Sequence, residues 1–216
     1  MKIKREYKPG TWLIRGGMLL IAAALFLTGY NLWDERRAAA SAEQVLEELR
    51  RDPESSDPDE GQGGIPDYLL NPDMEMPVIE IDGIKYIGTL EIPAFDISLP
   101  IAAEWSYEKL RTAPCRYAGS AYKNNLVIAA HNYRAHFGLL KELSAGARVT
   151  FTDTDGNVFT YDVTEVQILE PLDIEEMISG EWDLTLFTCT LSGQTRLAVR
   201  CEAAEELPGS DRTMSE

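Results

Sequence analysis

Alternating apolar and polar residues recur along the chain from about residue 77 onward. These short runs are bounded by proline, glycine, asparagine and aspartate, a pattern typical of strands joined by turns. Asp155-Gly156-Asn157 is a strong hairpin turn between two of the runs. The pattern predicts a mainly antiparallel barrel or sandwich of about seven to eight strands with short helices. The clearest strands are residues 85–92, 96–101, 125–130, 148–153, 158–168, 184–189 and 196–201.

Two short segments between these strands have helical spacing instead. Phe137, Leu140 and Leu143 recur at intervals of three, which predicts a helix within residues 136–143. Residues 173–179 are predicted to form a second short helix, with Asp173 as its amino-terminal cap.

The longest apolar run, residues 16–33, carries no charged side chain. With residues 12–14 it reaches the about 20 residues that a membrane-spanning helix needs. Basic residues precede the run and two acids follow it, so the amino end is expected in the cytoplasm and the remainder outside. A cleaved signal peptide is the competing interpretation, because residues 38–40 are three alanines. The apolar run is long for a signal core, which favours a permanent anchor.

Residues 34–76 differ from both neighbouring parts of the chain. Residues 38–51 are predicted to form a short helix with Ala42, Val45, Leu46 and Leu49 on one stripe. Residues 52–64 are acidic and rich in proline, serine and glycine, a composition that favours a flexible tether. A regulatory lid is the alternative, because residues 65–70 are apolar enough to lie across a groove.

These patterns divide the chain into five parts. They are a cytoplasmic end (1–11), a transmembrane anchor (12–33), an extracellular acidic spacer (34–76), a folded domain (77–206) and a flexible tail (207–216). The 20 basic and 36 acidic residues give a net charge of -16, which argues against a nucleic-acid partner. The three cysteines have neither the pairing of a disulfide scaffold nor the C-x-x-C spacing of a zinc site.

Candidate chemistry lies in the last predicted hairpin. Cys189 ends one strand and Arg196 begins the next, so side-chain alternation allows both to point out of the same face. A nearby cation favours the reactive thiolate, and an arginine can also donate hydrogen bonds to an oxyanion. Taken alone, the pair has a common structural explanation, since a lone cysteine is usually a small core residue and such an arginine a solvated edge.

Several separated motifs resemble the sortases, the membrane-anchored cysteine transpeptidases of Gram-positive bacteria. Residues 186–189 (LFTC), followed by residues 196–200 (RLAVR), resemble the family's Cys…Arg signature. His131 directly follows the apolar strand 125–130, as the family's histidine does. Residues 88–101 resemble the first two strands, and residues 113–120 resemble the segment before the histidine strand. The resemblance covers about residues 78–202 and implies a closed sortase-like β-barrel after an N-terminal transmembrane helix.

The resemblance also implies roles for individual residues. Cys189 is expected to be the nucleophile, His131 the general acid and base, and Arg196 the group that holds the substrate and stabilises the oxyanion. Thr188 is expected to help position the substrate. The implied substrate is a secreted protein with an LPXTG-like sorting signal, transferred to an amine of the cell wall or of a pilin lysine. Neither a metal nor an organic cofactor is expected.

Rival residues and rival functions compete with this assignment. His136 is expected to cap or pack, Arg200 lies on the same face as Arg196 but further from the turn, and Cys201 is expected in the core. Cys115 fits a surface or a core thiol equally well. The rival functions are a membrane-anchored cysteine hydrolase that does not transfer, and a non-catalytic extracellular binding module on a β-barrel.

Overall fold

The structure is a computed structural model that describes residues 10–51, 65–179, 181–190 and 193–204. It divides into two units, one up to Arg37 and one from Ala38 onward. The first unit is helical, because helix α1 covers Gly10–Arg51. The apolar side chains of this part, such as Leu19 and Phe26, are exposed. The helix is long and apolar enough to cross a membrane, which makes it a candidate membrane span.

The second unit is built from nine strands and short helical turns. Helix α2 covers Asp67–Leu70, helix α3 covers Ile174–Met177, and 3-10 turns lie at Pro93–Phe95, Lys109–Arg111, Ala121–Lys123 and Leu140–Glu142. The strands are β1 Ile79–Ile81, β2 Ile84–Ile92, β3 Ile97–Ala102, β4 Cys115–Ala118, β5 Leu126–Ala130, β6 Arg148–Asp153, β7 Val158–Leu169, β8 Leu184–Cys189 and β9 Arg196–Ala203.

Strands β2 to β9 close into an eight-stranded barrel. The strand order is β1-β2-β3-β4-β5-β8-β9-β7-β6, and β2 also pairs with β6, which closes the ring. Strand β2 changes register at Gly88, where φ is +147° and an added Cβ would lie 2.0 Å from the carbonyl oxygen of Thr152. Only glycine fits there, because the backbone of β6 approaches too closely for a side chain. The predicted β-barrel is therefore confirmed, with β1 as an additional strand on the edge of β2.

Two of the pairings in the ring are parallel. Strand β3 pairs with β4, and β5 pairs with β8, whereas the other pairings are antiparallel. Because parallel strands run in the same direction, β5 and β8 end at the same edge of the barrel. Both strands are rich in apolar residues that face the core. The core includes Ile87, Leu126 and Leu186.

The predicted apolar stripe of residues 38–51 is buried, but this segment is neither a separate helix nor part of a loose spacer. It is the last part of α1, and its stripe packs into the core of the second unit. Val45 and Leu49 belong to one apolar cluster with Ile81 and Tyr86. The compact unit therefore includes residues before position 77, because an apolar stripe at helical spacing is buried against the barrel.

Helix α2 does not lie across a groove at the histidine end of the barrel. Its Tyr68 stacks on Tyr122, with ring centroids 4.7 Å apart, and also contacts Phe159 at 5.3 Å. Tyr122 precedes β5, whereas His131 follows it, so α2 docks at the opposite end of the barrel. The lid hypothesis for residues 65–70 is therefore wrong, and residues 52–64 lie outside the described residues.

The two predicted helices between strands are shorter than expected. Within 136–143 the regular element is the 3-10 turn Leu140–Glu142, because Gly138 folds back and donates its N–H to the carbonyl of Tyr133 at 2.8 Å. Phe137, Leu140 and Leu143 are nevertheless buried, as their spacing predicts. Asp173 precedes α3, but its carboxylate accepts from the N–H of Glu170 and not from the helix. Asp173 thus occupies the predicted N-cap position, but its carboxylate forms no capping bond with the helix.

Candidate active site

The three residues predicted to be catalytic follow or begin three neighbouring strands at one edge of the barrel. His131 comes directly after β5, Cys189 ends β8, and Arg196 begins β9. In the parallel pair, Ala130 lies opposite Thr188, so the next residues, His131 and Cys189, continue in step. In the antiparallel pair, Cys189 lies opposite Arg196. Neighbouring strands are about 4.8 Å apart, so this register alone brings the three backbones together.

Alternation along β8 and β9 directs Cys189 and Arg196 to the outside of the barrel. Leu186 and Thr188 face the core and are buried, whereas the Cys189 side chain is exposed and Arg196 is half-buried. An exposed thiol at the end of a strand is accessible to a substrate, unlike a structural cysteine of the core.

A groove of about 230 Å³ lies on this outer face and contains all three candidates. Its floor includes Ala129, Tyr117 and Phe187. One wall comes from the connection between β3 and β4, with Trp105, Tyr107 and Leu110, and the other comes from the connection between β7 and β8. The residues of this second wall are Pro171, Asp173, Ile174 and Met177. The groove is thus mostly apolar, and its ionisable side chains include the three candidates and Asp173.

The guanidinium of Arg196 is held by the turn that precedes it. Its Nη1 donates to the carbonyls of Gly193 at 3.3 Å and Thr195 at 3.2 Å. Thr190 and Thr195 bridge the two sides of the turn, with a hydroxyl–hydroxyl distance of 3.0 Å. Gly193 has φ +69°, a value that favours glycine, which is consistent with a turn at this position.

His131 lies in a tight loop that fixes its backbone and its ring. Its carbonyl accepts from the N–H of Phe137 at 3.2 Å, and its ring lies 4.9 Å from the ring of Tyr133. Thr188 connects this loop to the cysteine strand, because its hydroxyl donates to the carbonyl of Ala130 at 2.8 Å. The Thr188 side chain is buried, and its hydrogen bond is to Ala130, the residue before the histidine.

The two rival residues are buried in the protein and do not line the groove. His136 is 1% exposed, and neither of its ring nitrogens has a hydrogen-bond partner among the described residues. Burial, together with the charge of His131, lowers the pKa of His136 to about 4. Arg200 is also 1% exposed and donates to four protein acceptors. The prediction that His136 packs in the structure is therefore confirmed.

Cys115 and Cys201 are buried free thiols. Burial raises the pKa of Cys115 to about 11 and the pKa of Cys201 to about 12. Both are therefore protonated and unreactive at neutral pH. The expectation that Cys201 belongs to the core is confirmed, and Cys115 proves to be a core thiol as well.

Sequence reasoning missed the walls of the groove. Trp105 contacts Tyr107 at 4.9 Å and Tyr117 at 5.7 Å, and Tyr117 contacts Phe187 at 5.2 Å, so four rings form a chain along the groove. The available signal was the pair of aromatic residues at 105 and 107 in an otherwise polar connection. Tyr107 is 75% exposed, and such exposure of a large ring indicates a binding surface.

Comparison with known proteins gives the family. A sequence model of the sortase domain matches residues 90–204, which is more than half of the chain, so this protein belongs to the sortase family. Family membership implies a cysteine transpeptidase activity. No protein with a curated description matches the sequence.

Solved sortase structures resemble the barrel. Sortase C of Streptococcus pneumoniae, described in terms of catalysis and pilin substrate specificity, is 28% identical with a TM-score of 0.51, over 56% of this chain and 70% of that chain. Clostridium perfringens sortase C, in a structure with the C-terminal cell wall sorting motif, is 22% identical with a TM-score of 0.54, over 77% of this chain and 99% of that chain. The second similarity concerns the fold alone.

Proposed function

We propose that this sortase cleaves a sorting signal of LPXTG type through a thioester on Cys189 and transfers the acyl group to an amine. The observation that carries the proposal is the register of β5, β8 and β9, in which Cys189 lies opposite Arg196 and one strand away from His131. The exposed thiol and the groove beside it supply a nucleophile and a place for an extended peptide.

The reaction has two halves. The thiolate of Cys189 attacks the carbonyl carbon of the scissile peptide bond, and Arg196 stabilises the oxyanion that forms. The carbon–nitrogen bond then breaks, and His131 donates a proton to the leaving amine. In the second half, an acceptor amine attacks the thioester, the carbon–sulfur bond breaks, and Cys189 leaves as the thiolate. The amine loses a proton to His131, which restores the protonated imidazole for the next cycle. Thr188 connects the ends of β5 and β8 through its hydroxyl and so helps to position the histidine beside the cysteine.

The chemistry of the groove supports an apolar peptide substrate. Its aromatic wall and floor suit apolar side chains. A bound peptide that covers Cys189 would also keep out the water that competes with the acceptor amine for the thioester. The pneumococcal relative is described in terms of pilin substrate specificity. By analogy, we propose secreted proteins with a sorting signal as donors, and a cell-wall peptide or a pilin lysine as acceptor.

We further propose that residues 12–33 anchor the enzyme in the cell membrane, with residues 1–11 in the cytoplasm and the barrel outside. Support comes from the exposed apolar surface of this part of α1 and from the excess of basic residues before it. An anchor next to membrane-attached substrates raises their effective concentration.

The decisive experiment uses the full chain in detergent micelles with a library of LPXTG-type peptides. Mass spectrometry without an acceptor is expected to show an acyl adduct on Cys189, and an added amine is expected to convert the adduct into a transfer product. Cys189→Ala is a matched control, because it retains the two buried thiols. Hydrolysis product alone, even with excess amine, would indicate the cysteine hydrolase. A folded protein that forms no adduct with any peptide would overturn the proposal in favour of a binding module.

A further inference from the structure

A second arginine, Arg200, lies on the same face of β9 as Arg196 but beneath the wall of the groove. It is four residues further along the strand, which corresponds to about 13 Å. Its partner across the β8–β9 pair is Thr185. Although Arg200 is 1% exposed and does not line the groove, the segment that covers it does.

The Arg200 guanidinium connects three separate parts of the barrel. Its Nε donates to Gln167 of β7 at 3.0 Å, and its Nη1 donates to the hydroxyl of Thr185 of β8 at 3.0 Å. It also donates to two backbone carbonyls of α3, through Nη2 to Glu176 at 2.8 Å and through Nη1 to Met177 at 3.2 Å. All four acceptors are neutral groups.

These contacts matter because α3 cannot hold its own conformation. It is a single turn of four residues, too short to be stable in isolation, and the carbonyls at the end of a helix have no partner within it. On its apolar side, Met177 packs against Val127, Leu169 and Ala198. On its polar side, Arg200 satisfies the two carbonyls. Removing the guanidinium would leave the carbonyls unpaired above a buried surface.

The burial of Arg200 has an energetic cost that a purely solvated arginine does not have. Transfer from water into the protein lowers its pKa, and the nearby carboxylates of Glu176 and Glu165 oppose this effect. Because a buried charge that loses its partners is strongly destabilising, the hydrogen bonds of Arg200 restrict the arrangement of the chain around it. Here the arrangement is that of the β7–β8 connection, which carries Pro171, Ile174 and Met177 into the groove.

We propose that Arg200 is a positioning residue that fixes the β7–β8 wall of the groove and thereby sets the affinity for the peptide substrate. This inference rests on the proposed function of the groove. Arg200 touches no reacting atom, so it acts on binding through the wall, whereas Arg196 acts on the reaction at Cys189.

The test compares three variants of the full chain in detergent micelles. Arg200→Met retains the apolar stem of the side chain but donates no hydrogen bond. Arg200→Lys retains the charge and some of the donors. Thr185→Val is the matched control, because it removes an acceptor on β8 and leaves both contacts to α3 in place. Circular dichroism and urea unfolding establish that each variant is folded.

Three quantities are measured for each variant: KM and kcat for cleavage of the sorting peptide, and the rate constant for alkylation of Cys189 by iodoacetamide. Arg200→Met is expected to raise KM roughly tenfold or more, with kcat changed by less than about threefold. Arg200→Lys should be intermediate, and Thr185→Val should be close to the unaltered protein. The alkylation rate should stay constant, because the small reagent does not need the wall. An unchanged KM in folded Arg200→Met would overturn the proposal.

Hydrogen exchange of the unaltered protein supplies a test that depends on no substitution. The amides of Met177 and Ile178 donate to the carbonyls of Asp173 and Ile174. They are expected to exchange at least about 100-fold more slowly than in a free peptide. Exchange at the free-peptide rate would overturn the proposal, even if Arg200→Met fails to fold. If the unaltered protein cleaves no peptide, the proposed function fails, while slow exchange would still show that the wall is fixed.

Discussion

Cys189 and Arg196 are direct partners across the antiparallel pair of β8 and β9, and the connection between them is only six residues long. The position of Arg196 relative to the thiol is therefore set by the register of the hairpin, not by a flexible loop. The contacts of its Nη1 to Gly193 and Thr195 restrict it further. A charge held in this way needs little reorganisation during a reaction.

Arg196→Ala is expected to lower kcat for peptide cleavage by about 10²–10³-fold, because an oxyanion would lose its donor. The kcat of Arg196→Lys should lie between those of the unaltered protein and Arg196→Ala, since an ammonium retains the charge but not the planar fork of donors. Steady-state kinetics with the sorting peptide measures both. Arg148→Ala is the control, because it breaks an exposed ion pair with Asp162 outside the groove. A loss of equal size in Arg148→Ala would show that Arg196 has no special role.

Thiol labelling should distinguish Cys189 from the two core cysteines. In the folded protein at pH 8, a methanethiosulfonate reagent is expected to modify Cys189 alone, whereas unfolding in urea should expose all three thiols. The reason is that Cys115 and Cys201 are buried and their pKa values are raised to about 11 and about 12. Peptide mapping by mass spectrometry identifies the modified residue. Rapid labelling of Cys115 or Cys201 before unfolding would contradict the burial of these residues.

Thr188→Val is expected to destabilise the barrel by about 1 kcal/mol, because the carbonyl of Ala130 loses its donor in a buried site. The same contact connects Thr188, next to Cys189, to Ala130, next to His131, so kcat should fall as well. Thr188→Ser, which retains the hydroxyl, should retain most of the stability and most of the kcat of the unaltered protein. Urea unfolding and steady-state kinetics measure the two effects. If Thr188→Val is fully active, the hydroxyl is dispensable for the alignment of the two strands.

His136→Phe should make the protein less sensitive to acid. Burial lowers the pKa of His136 from 6.5 to about 4 in the folded protein. The unfolded chain therefore binds more protons in this range, and the stability that is present above pH 6.5 is lost as the pH falls towards 4. A pKa difference of this size between the unfolded and the folded state corresponds to about 3 kcal/mol in the free energy of unfolding.

The measurement is the free energy of unfolding in urea at pH 7 and pH 4.5, for the unaltered protein and for His136→Phe. The unaltered protein should lose more stability between the two values than the variant does. At pH 7, the variant is expected to be about as stable, because the ring is retained and two unpaired nitrogens are removed. Equal acid sensitivity would show that His136 is not the titrating group.

The sequence was most informative where a contact is local. Alternation along two strands joined by a short turn predicts that Cys189 and Arg196 share a face, and the structure places them opposite each other. The buried stripe of residues 38–51 was predictable for the same reason, because helical spacing is also a local property. The pattern did not reveal that this stripe continues the apolar helix α1 without a break.

Contacts between distant segments were not predictable in this way. The parallel pairing of β5 and β8 joins residues about 58 positions apart, and no local pattern specifies it. The resemblance to a family, not periodicity, brought His131 and Cys189 together. No local pattern predicts the wall residues either, nor the contacts of Arg200, whose partners come from β7, β8 and α3. Their roles depend on packing that only the folded chain has.

The strand order has a consequence for the timing of maturation. Strand β9 is the last strand described, and it lies between β7 and β8, so the ring cannot close before β9 has been made. Because synthesis proceeds from the amino end, Cys189 is produced before the arginine opposite it. A nascent or truncated polypeptide therefore holds the thiol without the arginine. In the proposed function, Cys189 therefore gains its arginine only when β9 has paired with its two neighbours in the ring.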